Sequence, residues 1–346
     1  MSKALHLNKL DAIRGFAAIY VLLYHLVSHL NFIPQPIKTI FFSFGQEAVM
    51  LFFLLSGFVI YLSVYKNSHI TFKAYFIKRF RRIYAPFIVS ILLAIAIACF
   101  NGNLLKSFSW TELGGNLLML QDFGEVKPGN WVDPFMDNLP LWSLSYEWWF
   151  YMMFYPIYQR LGKTPYCIYF VLGLSLIGYS SYLVVPNHAS FLLTYFTIWW
   201  SGVESARVFV RDGRFTYRNI QPIFFSLLFM TVIAGIPIFQ EEKIRLGYFP
   251  FLTFRHFFIS LLAVGIGLVW YRWKLLWFEP LLGWFTHVAP ISYAIYILHY
   301  PILIQLNLSS YIPNLTISLL IKLALIFGLS YLTEIQLQPL VNRWIK

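Results

Sequence analysis

Long apolar segments recur along the whole chain and restrict what it can fold into. Hydrophobic residues make up 59% of the 346 residues and charged residues only 12%, which is too apolar for a soluble domain. The segments lack the short alternation of barrel strands, so each is expected to satisfy its backbone hydrogen bonds as an α-helix in lipid. The sequence therefore predicts an all-α polytopic membrane protein.

Ten segments are predicted to span the membrane. They are residues 11–32, 41–64, 84–101, 141–160, 165–185, 189–207, 220–240, 255–271, 281–307 and 315–338. The first segment is long enough to span and no small-residue cleavage site follows it, so we expect it to be retained as a helix. With no internal repeat and no room for a soluble unit, residues 1–346 are predicted to form one transmembrane domain.

The net charge of +12 follows the membrane topology and does not indicate a nucleic-acid partner. If the N-terminus is cytoplasmic, most Lys and Arg residues fall in the inner connections and few in the outer ones. Acidic residues show the opposite bias. The positive-inside rule therefore predicts that both termini are cytoplasmic.

The first apolar segment carries ionisable residues along one helix face. Arg14 and His25 are eleven residues apart, which places them on nearly the same helix face and about 16 Å apart along the axis. Charged groups in hydrocarbon are costly and usually mark a substrate path. His29, one turn further, raises the question of a metal, but no third ligand has suitable spacing and no metal is predicted.

A basic run, Lys78-Arg79-Phe80-Arg81-Arg82, precedes the segment Tyr84-Ala85-Pro86, which is predicted to begin the third span. Arg79 and Arg82 are three residues apart and share one helix face. The run has two interpretations. It is an orientation signal attracted to anionic lipid, or it binds a phosphate-rich cytoplasmic ligand.

Glu147 lies in an aromatic stretch at the predicted outer end of the fourth span, after Ser143 and Ser145. An aromatic belt at the membrane interface explains the aromatic residues but not the carboxylate. Glu147 either has a functional role or pairs with a cation or a helix end.

Ser292 and His299 are seven residues apart in the ninth span and share one face, with Tyr293 beside Ser292. Hydroxyl groups commonly serve helix packing in membranes, and a histidine near an interface is often only hydrogen-bonded. A packing role and a functional role both remain open for these residues.

Together these residues resemble the membrane-bound acyltransferase 3 family, in five blocks that follow the family's order. The blocks are Asp11-Ala-Ile-Arg14 with His25, Phe52-Phe53-Leu-Leu-Ser56-Gly57-Phe58, Arg79-Phe-Arg-Arg82 with Pro86, Trp142-Ser143-Leu-Ser145-Tyr-Glu147 with Phe150-Tyr151, and Ser292-Tyr293 to His299-Tyr-Pro301.

The resemblance implies an O-acyltransferase of the bacterial cytoplasmic membrane that uses acyl-coenzyme A, with acetyl-coenzyme A as the first expectation. Arg14, Arg79 and Arg82 would bind the donor. His25 would act as general base, because its ordinary pKa is near neutral, and Glu147 would orient or charge-balance its imidazole. The remaining candidates, with a supporting or acceptor-binding role, are Ser143, Ser145, Ser292, Tyr293 and His299.

The acceptor implied by the resemblance is a glycan or lipid-linked glycan, with O-antigen lipopolysaccharide, exopolysaccharide, peptidoglycan, lipids and antibiotics all used within the family. Two departures bear on it. Trp148 and Trp149 replace polar residues, and Ala48 and Met50 replace a glycine and a polar residue, so we expect a more apolar acceptor pocket. The chain also ends soon after the tenth span, and no appended hydrolase-like domain is expected.

Two alternatives stay open at this point. Ser143 or Ser145 would be the nucleophile in a mechanism with an acyl-enzyme. A polysaccharide or small-molecule exporter would also place polar residues inside ten helices, although the sequence has neither paired interrupted helices nor two related halves. Coenzyme A binding would separate an exporter from an acyltransferase. The sequence gives no oligomeric state.

Overall fold

The protein is described from a computed structural model, which covers residues 3–30, 32–67, 69–162, 164 and 166–345. Within these ranges the regular structure is helical, and the single isolated β-bridge joins Gln121 and Val132. The main helices are α1 (Lys3–Ser28), α2 (Gly45–Tyr65), α3 (Phe72–Phe100), α4 (Trp142–Leu161), α5 (Cys167–Val184), α6 (His188–Asp212), α7 (Tyr217–Gly235), α8 (Phe251–Arg272), α9 (Ser292–Tyr300) and α10 (Leu315–Tyr331).

Shorter elements connect and extend these helices. The short α-helices are Gln35–Phe41, Leu104–Ser107, Trp110–Leu117, Phe278–Leu282 and Gln338–Trp344. The 3₁₀ turns are Phe135–Asp137, Leu139–Leu141, Ile236–Gln240, Gly283–His287 and Ala289–Ile291. Two π-helical turns, Pro301–Gln305 and Leu332–Leu337, continue α9 and α10.

Seven helices in the described part of the chain are long and apolar enough to cross a membrane. They are Asn8–Ser28, Gly45–Tyr65, Phe72–Phe100, Cys167–Val184, Tyr217–Gln240, Phe251–Arg272 and Leu315–Trp344. An eighth is broken, because Phe278–His287 and Ala289–Gln305 meet at an angle of 48°. Each of these coincides with a predicted span, which confirms an all-helical protein with several apolar helices.

The two remaining predicted spans coincide with α4 and α6, which are long helices that do not reach the same apolarity. Their position explains this composition. Most residues of α6 are buried, including Trp199 and Trp200, so its serine, threonine and aromatic side chains face other helices and not lipid. The count of ten spans and the cytoplasmic termini stay predictions.

The start of α3 differs from the prediction. The helix begins at Phe72, where the Thr71 hydroxyl accepts a hydrogen bond from the Ala74 backbone N–H at 3.3 Å, so the basic run is helical and not a loop. Pro86 lies inside the helix without ending it. Neighbouring helices make such a proline tolerable by supplying other partners, and here Tyr293 donates to the nearby carbonyl of Ile83 at 3.2 Å.

Helices α2 and α6 cross in very close contact at two glycines. A Cβ added to Gly57 would lie 2.2 Å from the carbonyl oxygen of Trp199, and one added to Gly202 would lie 1.9 Å from that of Leu54. Small residues permit this approach of two backbones in a membrane protein. The crossing holds Ser56, next to Gly57, against the indole of Trp199.

Residues 102–140, predicted as a long outer connection, pack onto the helices through a buried ion pair. Lys127 pairs with Asp122, and its ammonium lies 3.9 Å from the ring centroid of Trp142. Asp122 also accepts hydrogen bonds from Tyr146 and, at 3.3 Å, from His188. Burial opposes ionisation of Asp122, but the Lys127 charge and these hydrogen bonds hold the pKa of its carboxyl well below the usual range.

Candidate active site

A cavity of about 460 Å³ lies where α1, α2, α3, α4 and α9 meet. We call it the basic cavity because several cations line it. The predicted site residues that it brings together are Arg14, Arg79, Arg82, Ser143, Glu147, Ser292 and Tyr293. Five separate sequence blocks therefore contribute to one space, in the size range of small-molecule sites.

Arg79 is a cation without an acidic partner among the described residues. It is only 7% exposed, and its guanidinium donates to the Ser63 hydroxyl at 3.0 Å. Its charge lies near the rings of Tyr75 and Tyr151, at 5.5 and 5.8 Å, and its Nε has no hydrogen-bond partner. A buried guanidinium in this state is well suited to bind an anionic ligand.

Arg82 is compensated by an acid that the sequence analysis did not single out. Its guanidinium pairs with Glu334, in the π-helical turn after α10, and lies 5.2 Å from the ring centroid of Tyr293. The Glu334 side chain is 2% exposed. The two arginines of the basic run therefore differ in electrostatic state although they share one face of α3.

Arg14 lies at the edge of the same cavity. It pairs with Asp11 at 3.0 Å, one turn earlier in α1, and donates to the carbonyl of Ala289 at 3.3 Å. Its side chain is 30% exposed, and its Nε has no partner. Arg14 therefore retains a donor for a ligand in the cavity.

Glu147 lines the basic cavity, where its described hydrogen bonds are to α2 and to its own helix. Its carboxylate accepts hydrogen bonds from Ser56 at 2.8 Å and from Tyr151, and Trp199 donates to the same Ser56 hydroxyl at 3.2 Å. The described contacts of the His25 ring are instead with aromatic residues. No described contact joins Glu147 to His25, and the expectation that Glu147 orients or charge-balances the imidazole stays a prediction.

His25 belongs to a cluster of rings beside α9. Its ring centroid lies 5.2 Å from that of His299 and 5.0 Å from that of Tyr300. His299 is fully buried and its Nδ1 donates to the carbonyl of Ile295 at 3.0 Å, which leaves its Nε2 without a partner. His29 donates from Nδ1 to the backbone carbonyl of His25 at 3.0 Å.

A second cavity, of about 300 Å³, lies at the other end of α3 and α9. The basic cavity extends along α3 to Ile83 and the second cavity begins at Ala94, and these positions are about 16 Å apart along the helix. In α9, Tyr296 lines the basic cavity and Tyr300 the second one. The two cavities therefore share two helices but open at different depths of the bundle.

A series of four rings connects the cavities. Tyr296 lies 6.3 Å from His299, His299 lies 5.2 Å from His25, and His25 lies 5.0 Å from Tyr300, all between ring centroids. The His25 ring therefore lies between the lining of the basic cavity and the lining of the second cavity. His25 itself lines neither of them.

The serine candidates separate in the structure. Ser143 lines the basic cavity and its hydroxyl contacts that of Tyr296 at 2.8 Å. Ser292 also lines it and donates to the Ala289 carbonyl at 2.8 Å. Ser145 is fully buried and donates to the carbonyls of Gln121 and Trp142 at 2.7 and 2.8 Å. Ser145 thus has the contacts of a packing residue.

Sequence reasoning assigned no role to three residues of the basic cavity and its wall. Ser56 and Tyr151 were visible only as parts of family-like blocks, whereas Glu334 had its own signal, since it is the single acidic residue in the predicted span 315–338. An acid in such a segment usually has a specific partner. Among the described residues no group of three His, Cys, Asp or Glu side chains forms a metal site, and the metal-free expectation stays a prediction.

The fold and site define a class, a multi-pass helical membrane protein with buried ionisable groups around a basic cavity. A family model described as an acyltransferase domain matches residues 7–335. The chain therefore belongs to the acyltransferase 3 family, as the sequence blocks indicated.

Two curated relatives are named acyltransferases. Acyltransferase MdmB of Streptomyces mycarofaciens is 32% identical over 168 residues, which cover 47% of this chain and 42% of the relative. Peptidoglycan O-acetyltransferase OatA of Listeria monocytogenes is 25% identical over 335 residues, which cover 86% of this chain and 49% of the relative. The chain thus spans less than half the length of each, and no solved structure matches it.

Proposed function

We propose that this protein is a membrane O-acyltransferase that moves an acyl group, acetyl first, from cytoplasmic acyl-coenzyme A to a hydroxyl of a cell-envelope glycan. It would lie in the bacterial cytoplasmic membrane with both termini inside. The observation that carries the proposal is the ring series from Tyr296 through His299 and His25 to Tyr300, which joins the basic cavity to the second one. Family membership supports the acyl transfer.

The basic cavity suits the donor. Coenzyme A carries phosphate groups, and the cavity offers the uncompensated guanidinium of Arg79, the ammonium of Lys78 and the partly free guanidinium of Arg14. Guanidinium groups bind phosphates with strong charge-assisted hydrogen bonds. A donor whose nucleotide lies beside Arg79 and Lys78 would extend its thioester along α9 toward His25.

His25 is the base in the proposed reaction. Its imidazole removes the proton of the acceptor hydroxyl as the oxygen attacks the thioester carbonyl carbon. The new C–O bond forms, the C–S bond breaks, and the imidazolium returns the proton to the leaving thiolate. His299 and Tyr300 pack on the imidazole ring and would hold it in place.

Direct transfer is favoured over an acyl-enzyme by the contacts of Ser143. Its hydroxyl is bonded to Tyr296 and to the carbonyl of Pro140 at 3.3 Å, and no described hydrogen bond joins it to a histidine. A serine nucleophile requires a base within hydrogen-bond reach. We therefore assign Ser143 a supporting role beside the donor.

The test compares His25→Ala with His29→Ala in membranes supplied with radiolabelled acetyl-coenzyme A, and follows label in the glycan and lipid fractions. His29 is a matched control because it is the same residue type one turn further along α1 and is exposed. Loss of a general base lowers the rate by about 10² to 10⁴, so His25→Ala should lose transfer while coenzyme A affinity is retained. Transfer by His25→Ala at the wild-type rate would remove His25 from the mechanism.

A protein that neither transfers label nor binds coenzyme A would instead be an exporter. In that case the whole proposal fails, because an exporter has no reason to bind the donor. Label that appears with wild type and with His29→Ala, but not with His25→Ala, supports the proposal and identifies the acceptor fraction.

A further inference from the structure

The second cavity has a polar lining without any Lys or Arg side chain. Its polar and aromatic residues are Asn101, Asn103, Ser107, Asp137, Tyr300 and Gln305. Asn101 donates to the carbonyl of Gln305 at 2.8 Å, which ties α3 to the end of α9. The single charged side chain of the lining is the Asp137 carboxylate.

The chain places Asp137 at this cavity through an unusual backbone. Met136 and Asp137 both adopt the left-handed region, with φ values of 51° and 55°, which costs free energy in residues other than glycine. Two hydrogen bonds hold this segment against α9 and the turn that follows it. The Gln305 side chain donates to the Met136 carbonyl at 2.7 Å, and the Asn138 side chain donates to the Ile297 carbonyl at 3.1 Å. The carboxylate itself has no described hydrogen-bond or ion-pair partner.

This combination of groups matches a sugar ring. A carboxylate and neutral amide groups accept and donate hydrogen bonds to hydroxyls, and an aromatic ring offers an apolar face to the C–H groups of the sugar. Tyr300 supplies such a ring and also contacts His25. A hydroxyl of a ring stacked on Tyr300 would therefore be close to the proposed base.

The electrostatic character of the cavity limits the charge of its ligand. Burial, with a smaller contribution from the nearby carboxylates of Asp137 and Asp133, raises the pKa of Glu112. The described lining residues include no cation, and the nearest ones are exposed Lys106 at the rim and Lys322, which is hydrogen-bonded to the Leu303 carbonyl at 2.9 Å. An anionic sugar would meet like charge there, whereas a protonated amine would meet a free carboxylate.

We propose that the second cavity is the acceptor site and that Asp137 restricts the acceptor to neutral or amino sugars and excludes acidic ones. The inference rests on the proposed function, since it assigns the acceptor side of the same reaction. It adds the residues that bind the acceptor and the charge class of that acceptor.

The experiment measures acetyl transfer by the purified full chain to three p-nitrophenyl glycosides of the same ring geometry. These are the glucoside, the glucosaminide and the glucuronide, which are neutral, cationic and anionic. Because Asp137 is exposed, wild type is expected to use the first two and to discriminate against the glucuronide by about two- to fivefold, the range of an interaction with an exposed charge. Asp137→Asn should remove most of this discrimination.

Glu241→Gln is the matched control, because it removes the same charge from an exposed residue of another connection that does not line the cavity. It should keep the wild-type order of acceptors. Coenzyme A binding is measured in parallel for every variant and should not change with Asp137→Asn, since Asp137 does not line the basic cavity.

The outcomes separate this inference from the proposed function. Three outcomes would overturn the inference: wild type prefers the glucuronide, wild type uses all three glycosides equally, or Asp137→Asn discriminates as wild type does. In each case the measured transfer would still support the acyltransferase. Normal coenzyme A binding with no glycoside acetylated would overturn the sugar site alone. Loss of both donor binding and transfer in wild type would overturn the proposed function and the inference with it.

Discussion

Arg79 and Arg82 are three residues apart on one helix, yet their replacement should have opposite consequences. Arg79 has no acidic partner among the described residues, so Arg79→Gln strands no charge, and the free energy of unfolding should fall only by about 0.5–1.5 kcal/mol, the contribution of its hydrogen bond to Ser63. Arg82→Gln leaves the Glu334 carboxylate buried, with 2% of its side chain exposed. Breaking a fully buried ion pair from one side costs about 3–5 kcal/mol, and because the Arg82 side chain is 38% exposed, the cost here should lie at or below the lower end of that range.

Donor binding should show the reverse order. A hydrogen bond to a charged group contributes about 1.5–3 kcal/mol, so Arg79→Gln should raise the Kd for coenzyme A by about 10- to 150-fold. The double variant Arg82→Gln with Glu334→Gln removes both charges of the pair. It should regain most of the stability lost in Arg82→Gln and bind coenzyme A within about threefold of wild type, roughly half a decade on the affinity scale.

The assay combines equilibrium binding of coenzyme A in lipid nanodiscs with thermal unfolding of the same preparations. Binding is repeated at low and high salt, because an electrostatic contribution should weaken as salt rises. Wild-type affinity in Arg79→Gln, together with lost binding in the stable double variant, would refute the reasoning. It would show that Arg82 and not Arg79 holds the donor.

Two further predictions concern stability. Lys127→Met should lower the melting temperature at pH 8, because Asp122 keeps its charge without its cation, at a cost of about 3–5 kcal/mol. Since the folded pKa of Asp122 is held low, the pair stabilises the fold fully above the ordinary carboxyl pKa of about 3.9 and loses this effect as the pH falls below that value. The gap from wild type should therefore narrow between about pH 4 and pH 3, whereas the exposed Lys106→Met should show no gap at any of these pH values. Gly202→Ala should destabilise by about 1–3 kcal/mol, because its Cβ would lie 1.9 Å from the carbonyl of Leu54, while Gly173→Ala, with no atom within 4 Å, should be neutral or stabilising in the same melting experiment.

The sequence predicted the boundaries of a helix well where contact with lipid determines the helix composition. The predicted span 165–185 became the helix Cys167–Val184, and 255–271 became Phe251–Arg272, because a helix facing lipid must be apolar along its length. The prediction failed at α3, where the span was predicted to start at residue 84. The helix starts at Phe72, twelve residues earlier, because the Thr71 cap, and not the proline, defines its beginning.

The candidate site was also predicted only in part. The sequence identified the chemical groups, Arg14, Arg79 and Glu147 among them, since charges in apolar segments stand out. It did not reveal their partners. Glu147 hydrogen-bonds Ser56 and Tyr151, a set that joins α4 to α2 and that no spacing along one helix could indicate.

The sequence by itself therefore determined an all-helical membrane protein of the acyltransferase 3 family and most of the residues around its basic cavity, because lipid imposes local rules on every apolar segment. Only the tertiary structure decided which of these residues pair and which remain free. Arg82 meets Glu334 across 252 positions of the chain, while Arg79 meets no acid in the described structure. Such contacts depend on how helices distant in sequence pack together, and no local pattern records that packing.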